Sequence, residues 1–313
     1  MLIDPVWLPR GAERAPRFPG AADLTISFHS YGPAAENLLR CKESYIPPFY
    51  AIDPMGYSCF SLLAKQPALF HDAVRAQDPG RAEAFRRQLS QELRCHNRSK
   101  YPQADLDGEI GSGHVFVPLQ MLNDSVAKAA WLDPRQALYT VVQAASARGM
   151  TTVVKRHPHC SNGSMARLLT EMSQRPDVIV STASIHALIG GAALVVGGNS
   201  GVLFEALVQG KPVVSYAASD FSQAVQQVRS REELAAAIAT PTMPQATWRD
   251  CFLLWYLTEY CVRADDVPAI RRRILTALSK SDSKSSTGFL PRPTYGRSLY
   301  LVSLIDRVKR RFF

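Results

Sequence analysis

The sequence predicts an α/β protein of two domains, and three observations carry that expectation. Ala187–Ser215 reads as strand, glycine turn, helix, glycine stop and strand, the pattern of a parallel βαβ unit. Other short apolar runs end directly in polar or charged clusters, where open α/β sheets collect their ligands. The chain has 313 residues, 46% of them hydrophobic, enough for two cores in domains of roughly 100–200 residues each.

In the βαβ stretch, 193–196 is the apolar run and 197–201 (GGNSG) a turn able to take positive φ. Val202–Gln209 is a helix stopped by Gly210, and Pro212–Ser215 is the next strand. The free N–H groups and positive helix end at such a turn make a seat for a phosphate. Asn199 and Ser200 stand at the turn, with Ser200 able to hold a phosphate and Glu205 placed to bind a ribose. Neither G-x-G-x-x-G nor G-x-x-x-x-G-K-[ST] occurs here, so neither an NAD fold nor a P-loop is favoured. An ordinary packing unit with glycines in tight turns accounts for the spacing equally well.

The remaining elements follow in order. Residues 1–22, rich in Pro, Arg and Gly, are expected to be a loosely ordered arm. Asp23–Phe28 is the first strand, with His29 and Ser30 at its carboxyl end as pocket residues or a turn cap. Phe49–Ile52 is the second strand and runs into Asp53-Pro54, a carboxylate at a strand end that also suits a turn. The pattern from Ser61 to Leu93 is helical with a break at Asp78-Pro79-Gly80, and Arg98–Tyr101 is a basic loop. His114–Leu119 is a buried strand followed by Gln120, Asp124 and Ser125; Asp124-Ser125 also suits a helix N-cap.

Leu138–Arg148 is an amphipathic helix, and the strand Thr151–Val154 opens into Lys155-Arg156-His157-Pro158-His159. These are four potential cations in five residues, and burying unpaired charge costs several kcal/mol. A bound phosphate would relieve it, with Pro158 restraining the backbone beside His157. The His-x-His pair lacks a third metal ligand nearby, so a metal is disfavoured. Pro176–Val180 is a strand, and Ser184–Ile189, carrying His186, a short helix. Arg231–Ala239 is a helix, and Thr247–Val262 an aromatic-rich one buried between lobes. A polar linker, Ser279–Thr287, leads to a basic amphipathic tail over the last seventeen residues, with Leu301, Leu304, Ile305, Val308 and Phe312 on one face. Such a tail suits an anionic membrane surface.

Composition narrows the classes. Lys and Arg number 36 against 27 Asp and Glu, a net charge of +9, which suits an anionic substrate, polyanion or membrane. Nucleic acid is disfavoured, because the basic residues do not interleave with aromatics in a nucleic-acid-binding pattern. Six cysteines without a C-x-x-C pair suggest neither a zinc cluster nor a disulfide framework, so a reducing cytoplasm is expected. The start carries no signal-peptide pattern, and no clean run of 18 apolar residues occurs.

Taken together, His29-Ser30-Tyr31-Gly32, Lys42–Pro47, Asp53–Ser58, Ser99–Tyr101, Val117–Gln120 with Asp124-Ser125, Lys155–Pro158, and Asn199-Ser200 with Glu205–Leu207 resemble the capsule polysaccharide biosynthesis family. That family comprises retaining β-Kdo glycosyltransferases that use CMP-Kdo, and the resemblance extends over residues 23–262. It implies a GT-B-type fold of two Rossmann-like lobes with a cleft between them. Residues 23–135 would form the acceptor lobe with the catalytic carboxylates, 136–246 the CMP-sugar lobe, 247–278 closing helices, and 279–313 the linker and tail. It implies Asp124 as nucleophile and Asp53 or Glu43 as acid/base. Lys155, Arg156, His157, Asn199, Ser200 and Glu205 would hold CMP, and His29, Ser30, Tyr57, Ser58, Gln120, Ser125 and His186 would line the substrate pocket.

No metal is expected. The acceptor would be a glycan or glycolipid, at the cytoplasmic face of the inner membrane. Gly201 and Leu203 depart from the hydroxyl residue and glycine that many relatives carry after the serine. Cys59-Phe60 departs from the usual Gly-Trp. These departures bear on sugar and acceptor specificity. The alternatives are a sialyltransferase or other nucleotide-sugar transferase, and a non-catalytic polysaccharide assembly or export protein.

Overall fold

The computed structural model describes residues 24–35, 38–106, 111–121 and 124–280. The expected N-terminal arm and the basic tail from 281 onward lie outside the described residues. The first lobe is built on β1 (Thr25–Phe28), β2 (Leu38–Glu43) and β3 (Phe49–Asp53), followed by α1 (Leu62–Lys65), α2 (His71–Arg75) and α3 (Pro79–Cys95). Strands β1 and β2 are parallel, β2 and β3 antiparallel. Asp78 caps α3 by accepting from Arg81 N at 2.6 Å, with Pro79 pre-set in the first turn.

The second lobe carries β4 (His114–Pro118), α4 (Pro134–Ser146), β5 (Thr152–Lys155), α5 (Gly163–Met172), β6 (Val178–Ser181), α6 (Ile185–Gly191), β7 (Ala192–Gly197), α7 (Gly201–Val208), β8 (Val213–Ser215), β9 (Gln226–Gln227) and α8 (Arg231–Ala239). Its six strands are all parallel, in the order β6-β5-β4-β7-β8-β9. Every residue of β4 is buried, as a central strand covered on both faces requires. Alternation sorts the side chains: Phe116, Val153, Val195 and Val213 face the core under α6 and α7. Val115, Val117, Val154, Val196 and Val214 face the core under α4, α5 and α8.

This corrects the expected lobe boundary near residue 135. The strand His114–Pro118 sits at the centre of the second sheet, because a strand apolar on both faces must be covered on both. The first core is continuous with the first lobe through Ile46, Phe49, Leu63 and Leu89.

The chain then returns. Helix α9 (Ala246–Trp255) widens into a π-turn at Tyr256–Tyr260 and enters β10 (Cys261–Arg263), before α10 (Val267–Lys280). Strand β10 pairs antiparallel with β3, Cys261 opposite Ala51, and completes the first sheet in the order β1-β2-β3-β10. The expected continuous helix to Val262 therefore ends early. The widened turn lets Tyr256 and Tyr260 point at two buried carboxylates, Asp220 and Asp53, at 3.0 and 2.9 Å. Tyr260→Phe is expected to lower stability by about 1–2 kcal/mol in urea unfolding, because it strips one donor from a buried carboxylate.

The architecture is α/β and GT-B-type, with the parallel Rossmann pattern in the second lobe and a smaller mixed sheet in the first. Among the described residues no helix is long and apolar enough to cross a membrane.

Candidate active site

A cavity of about 760 Å³ opens between the lobes at the carboxyl ends of the second-lobe strands. Its wall includes twelve of the residues singled out in the sequence: His29, Glu43, Tyr57, Ser58, Gln120, Asp124, Lys155, Arg156, His157, Asn199, Ser200 and Glu205. The parallel sheet explains the convergence. Strands β4, β5 and β7 run side by side, so the loops after them, carrying Asp124, Arg156-His157 and Asn199-Ser200, emerge along one edge.

Asp124 is half-buried in the loop after β4, with Ser125 Oγ 3.4 Å from its Oδ1. Its charge helps raise the pKa of Tyr57 and Tyr101, in each case after burial, so the carboxylate lies close to both phenols. Ser125 hydrogen-bonds Tyr57. Asp124 thus belongs to the second lobe, and of the expected catalytic carboxylates only Glu43, at the end of β2, reaches the cavity from the first. Glu43 Oε2 is 3.4 Å from the Lys100 ammonium.

In the cationic cluster the residues divide their work. Lys155 Nζ donates to the carbonyls of Thr182 and Ala183 at 2.8 and 2.6 Å, tying β5 to the end of β6; burial lowers its pKa. Arg156 Nε is buried with no hydrogen-bond partner among the described residues. Such an orphan donor is costly unless something absent from the protein accepts from it. His157 Nδ1 accepts from His159 N at 3.1 Å, which fixes the tautomer and leaves Nε2–H as the donor. Burial, and then His159, lower its pKa, with Asp124 opposing. Tyr101 stands edge-on to both rings, 5.3 Å from His157 and 4.9 Å from His159.

The turn after β7 is held by a clamp. Gln120 Oε1 accepts from Asn199 N at 2.9 Å, Gln120 Nε2 donates to Asn199 O, Ser58 Oγ donates to Asn199 Oδ1 at 2.9 Å, and Asn199 Nδ2 donates to Ala218 O. Every polar group of Asn199 is thereby engaged, so Asn199 and Gln120 shape the turn and leave Ser200 and the start of α7 to face the cavity. A Cβ on Gly198 would meet Gln120 Oε1 at 2.6 Å, so only glycine admits the clamp. Ser200 caps α7, and Gly210 closes it at φ +75°.

Glu205 lies one turn inside α7, 2% exposed. Its Oε1 accepts from Ser99 Oγ at 2.7 Å, while Oε2 has no hydrogen-bond partner among the described residues and faces His186 Nε2 at 3.8 Å. Burial pushes its pKa up to about 8, against the Ser99 hydrogen bond. At neutral pH the side chain is therefore held protonated, a neutral carboxyl in the wall of the cavity.

Four expected site residues stand elsewhere. Asp53 is fully buried and accepts from Met55 N, Gly56 N, Leu62 N and Tyr260 Oη at 2.7–3.1 Å. A carboxylate saturated in the core has no lone pair facing the cleft, which removes Asp53 as the acid/base. Ser30 is buried off the cavity wall. Ser125 stands behind Asp124 and Tyr57. His186 is buried behind Glu205, its Nε2 on Arg98 O at 2.8 Å and its Nδ1 on Gln209 Nε2 at 3.0 Å; burial lowers its pKa.

The cavity also holds residues to which the sequence reading assigned no role: Tyr45, Lys100, Tyr101, Asp220 and Tyr256. Asp220 follows β8, so the strand-end rule that found Asp124 and His157 would have found it too. The pairing of Tyr45 with it, 175 positions away, has no local signal.

No family model and no curated protein matches the chain by sequence. Among solved structures, it is similar to the Thermosulfurimonas dismutans KpsC β-Kdo 2,4 transferase at a TM-score of 0.51 and 15% identity, covering 77% of this chain and 79% of that one. The fold is shared with a β-Kdo transferase. The same organism's KpsC β-Kdo 2,7 transferase aligns at a TM-score of 0.49 and 16% identity over 82% and 85% of the two chains. The wall teichoic acid polymerase TagF aligns at 0.32 and 10% over 74% and 49%.

Proposed function

We propose that the protein is a retaining glycosyltransferase that moves Kdo from CMP-Kdo to a glycan or glycolipid acceptor. The observation that carries this reading is the convergence in one cavity of Asp124, an Arg156 Nε with no hydrogen-bond partner among the described residues, the His157 Nε2–H donor, Ser200 at a helix start and the buried Glu205 carboxyl. The donor set matches the parts of a CMP-sugar: Arg156, His157 and the start of α7 for the phosphate, and Glu205 for the ribose or base. No metal enters this reading.

In the first step an Asp124 carboxylate oxygen bonds to the anomeric carbon of Kdo as its bond to the CMP phosphate oxygen breaks, the electron pair leaving with CMP. Arg156 and His157 donate to the phosphate as its charge grows. In the second step the acceptor hydroxyl oxygen attacks the same carbon from the vacated side, the bond to Asp124 breaks, and the hydroxyl proton passes to Glu43. Two inversions give retention. Membrane association through the basic tail, at the cytoplasmic face, belongs to the same reading.

A donor screen tests it: release of the nucleotide is expected from CMP-Kdo, as CMP, and not from CMP-sialic acid, as CMP, or from UDP-sugars, as UDP; release only from CMP-sialic acid or UDP-sugars would overturn it. Arg156→Ala is expected to weaken CMP binding about 10–100-fold in calorimetry, the worth of one charge-assisted hydrogen bond. Unchanged affinity would remove Arg156 from the phosphate site.

A further inference from the structure

Asp220 lines the cavity yet has no part in the steps above. It is 2% exposed, and both oxygens are taken by phenols: Tyr45 Oη donates to Oδ1 at 2.6 Å and Tyr256 Oη to Oδ2 at 3.0 Å. Tyr45 comes from the β2–β3 connection of the first lobe and Tyr256 from the π-turn after α9, so one carboxylate gathers three distant segments. Tyr45 is also the neighbour of the donor turn. Its ring stacks on Phe204 of α7 at 5.0 Å, and its hydroxyl is 3.2 Å from Ser58 Oγ, which in turn donates to Asn199 Oδ1.

The phenol has one proton and two oxygens within reach. With Asp220 ionised, that proton goes to the shorter contact and Ser58 is free to give its own to Asn199. With Asp220 protonated, the charge-assisted hydrogen bond from Tyr45 becomes an ordinary one, roughly half as strong, and the phenol is held less firmly against Ser58 Oγ and the Phe204 ring. The groups facing Asp220 are Tyr45 from the β2–β3 connection, Cys59 and Asp53 from the first lobe, Tyr256 and Tyr260 from the π-turn, and Cys261 from β10. Burial, with Asp53 adding repulsion, pushes the Asp220 pKa up to about 6, against the two tyrosine hydrogen bonds.

We infer that Asp220 is a positioning residue: acting through Tyr45 and Ser58, it holds the Asn199–Ser200 turn in its ligand-ready shape when ionised and loosens it when protonated. The functional consequence, donor affinity that falls in mild acid, rests on the reading of that turn as the phosphate seat.

The test is hydrogen–deuterium exchange on the full chain without ligand, following a peptide over 197–204 in wild type, Asp220→Asn and Tyr45→Phe. Tyr45→Phe keeps the ring stack and removes only the hydroxyl, which covers the case in which the Asp220 variant fails to fold. Exchange of this segment is expected to quicken about tenfold in both variants. After correction for intrinsic rate, wild type is expected to approach the variants between pH 7.5 and 5, while the variants stay flat. Unchanged exchange in Tyr45→Phe, a flat wild-type profile, or acceleration spread evenly over both lobes would overturn the inference. CMP titration of wild type reports on the donor reading separately: a wild type that binds no CMP sinks that reading and leaves the exchange result to decide this one. Where wild type binds, Asp220→Asn is expected to weaken CMP about tenfold.

Discussion

Asp124→Ala is expected to yield a folded protein that transfers no sugar, with kcat down by about four orders of magnitude or more, as when a covalent nucleophile is deleted. The fold should survive because Asp124 is half-buried in a loop, outside both hydrophobic cores. Its polar contacts, to Ser125 Oγ and Val126 N, are each 3.4 Å long. Its stability should therefore stay within about 0.5 kcal/mol of wild type. The decisive measurement is intact-protein mass spectrometry after incubation with CMP-Kdo. Wild type should carry one Kdo residue, lost on adding acceptor, and Asp124→Ala none. Transfer by the variant within tenfold of wild type would sink the double-displacement mechanism.

The second large effect is on stability and its pH dependence. Glu205 titrates near 8 in the folded protein against 4.5 for a free side chain, so the native state binds its proton more tightly than the unfolded chain. Stability from this group is fully present below about pH 4.5. It declines as pH rises from there through 8, because above 8 a bare carboxylate must be held in the core with one oxygen accepting no hydrogen bond among the described residues. Glu205→Gln keeps an oxygen for Ser99 and removes the charge. The variant is expected to match wild type near pH 5 and to exceed it by roughly 3 kcal/mol at pH 8.5 in urea unfolding. A difference that does not change between the two pH values would mean that Glu205 is ionised throughout.

Much of the second lobe could be read from local patterns, because a parallel βαβ unit writes its strands, turns and caps into contiguous residues. The helix after Ser200, its stop at Gly210, the helix Arg231–Ala239 and the strand before Lys155 appear where composition and spacing put them. The first lobe was less legible. Strand β2 was not anticipated, since Leu38–Glu43 alternates poorly and takes its partners from β1 and β3. Strand β10 was hidden inside an aromatic run that reads as helix until its pairing with β3 is seen. Local propensity cannot report the β10 pairing, because its hydrogen bonds join segments as distant as Cys261 and Ala51.

The same division runs through the site. Which residue types would meet a phosphate, at the ends of β5 and β7, was a matter of sequence, because a strand end followed by cations or by a glycine turn has the same chemistry in any parallel sheet. Which of them are free to do so was not. Lys155, Asn199, Gln120 and Asp53 have their polar groups taken up by neighbours from other elements. Among the described residues Arg156 Nε and Glu205 Oε2 are left without hydrogen-bond partners, and Asp220 is drawn in by two tyrosines from distant segments. Hydrogen-bond satisfaction is a property of the packed molecule, settled only when every buried donor has found its acceptor. The sequence could name the candidate chemistry; the fold alone assigned its parts.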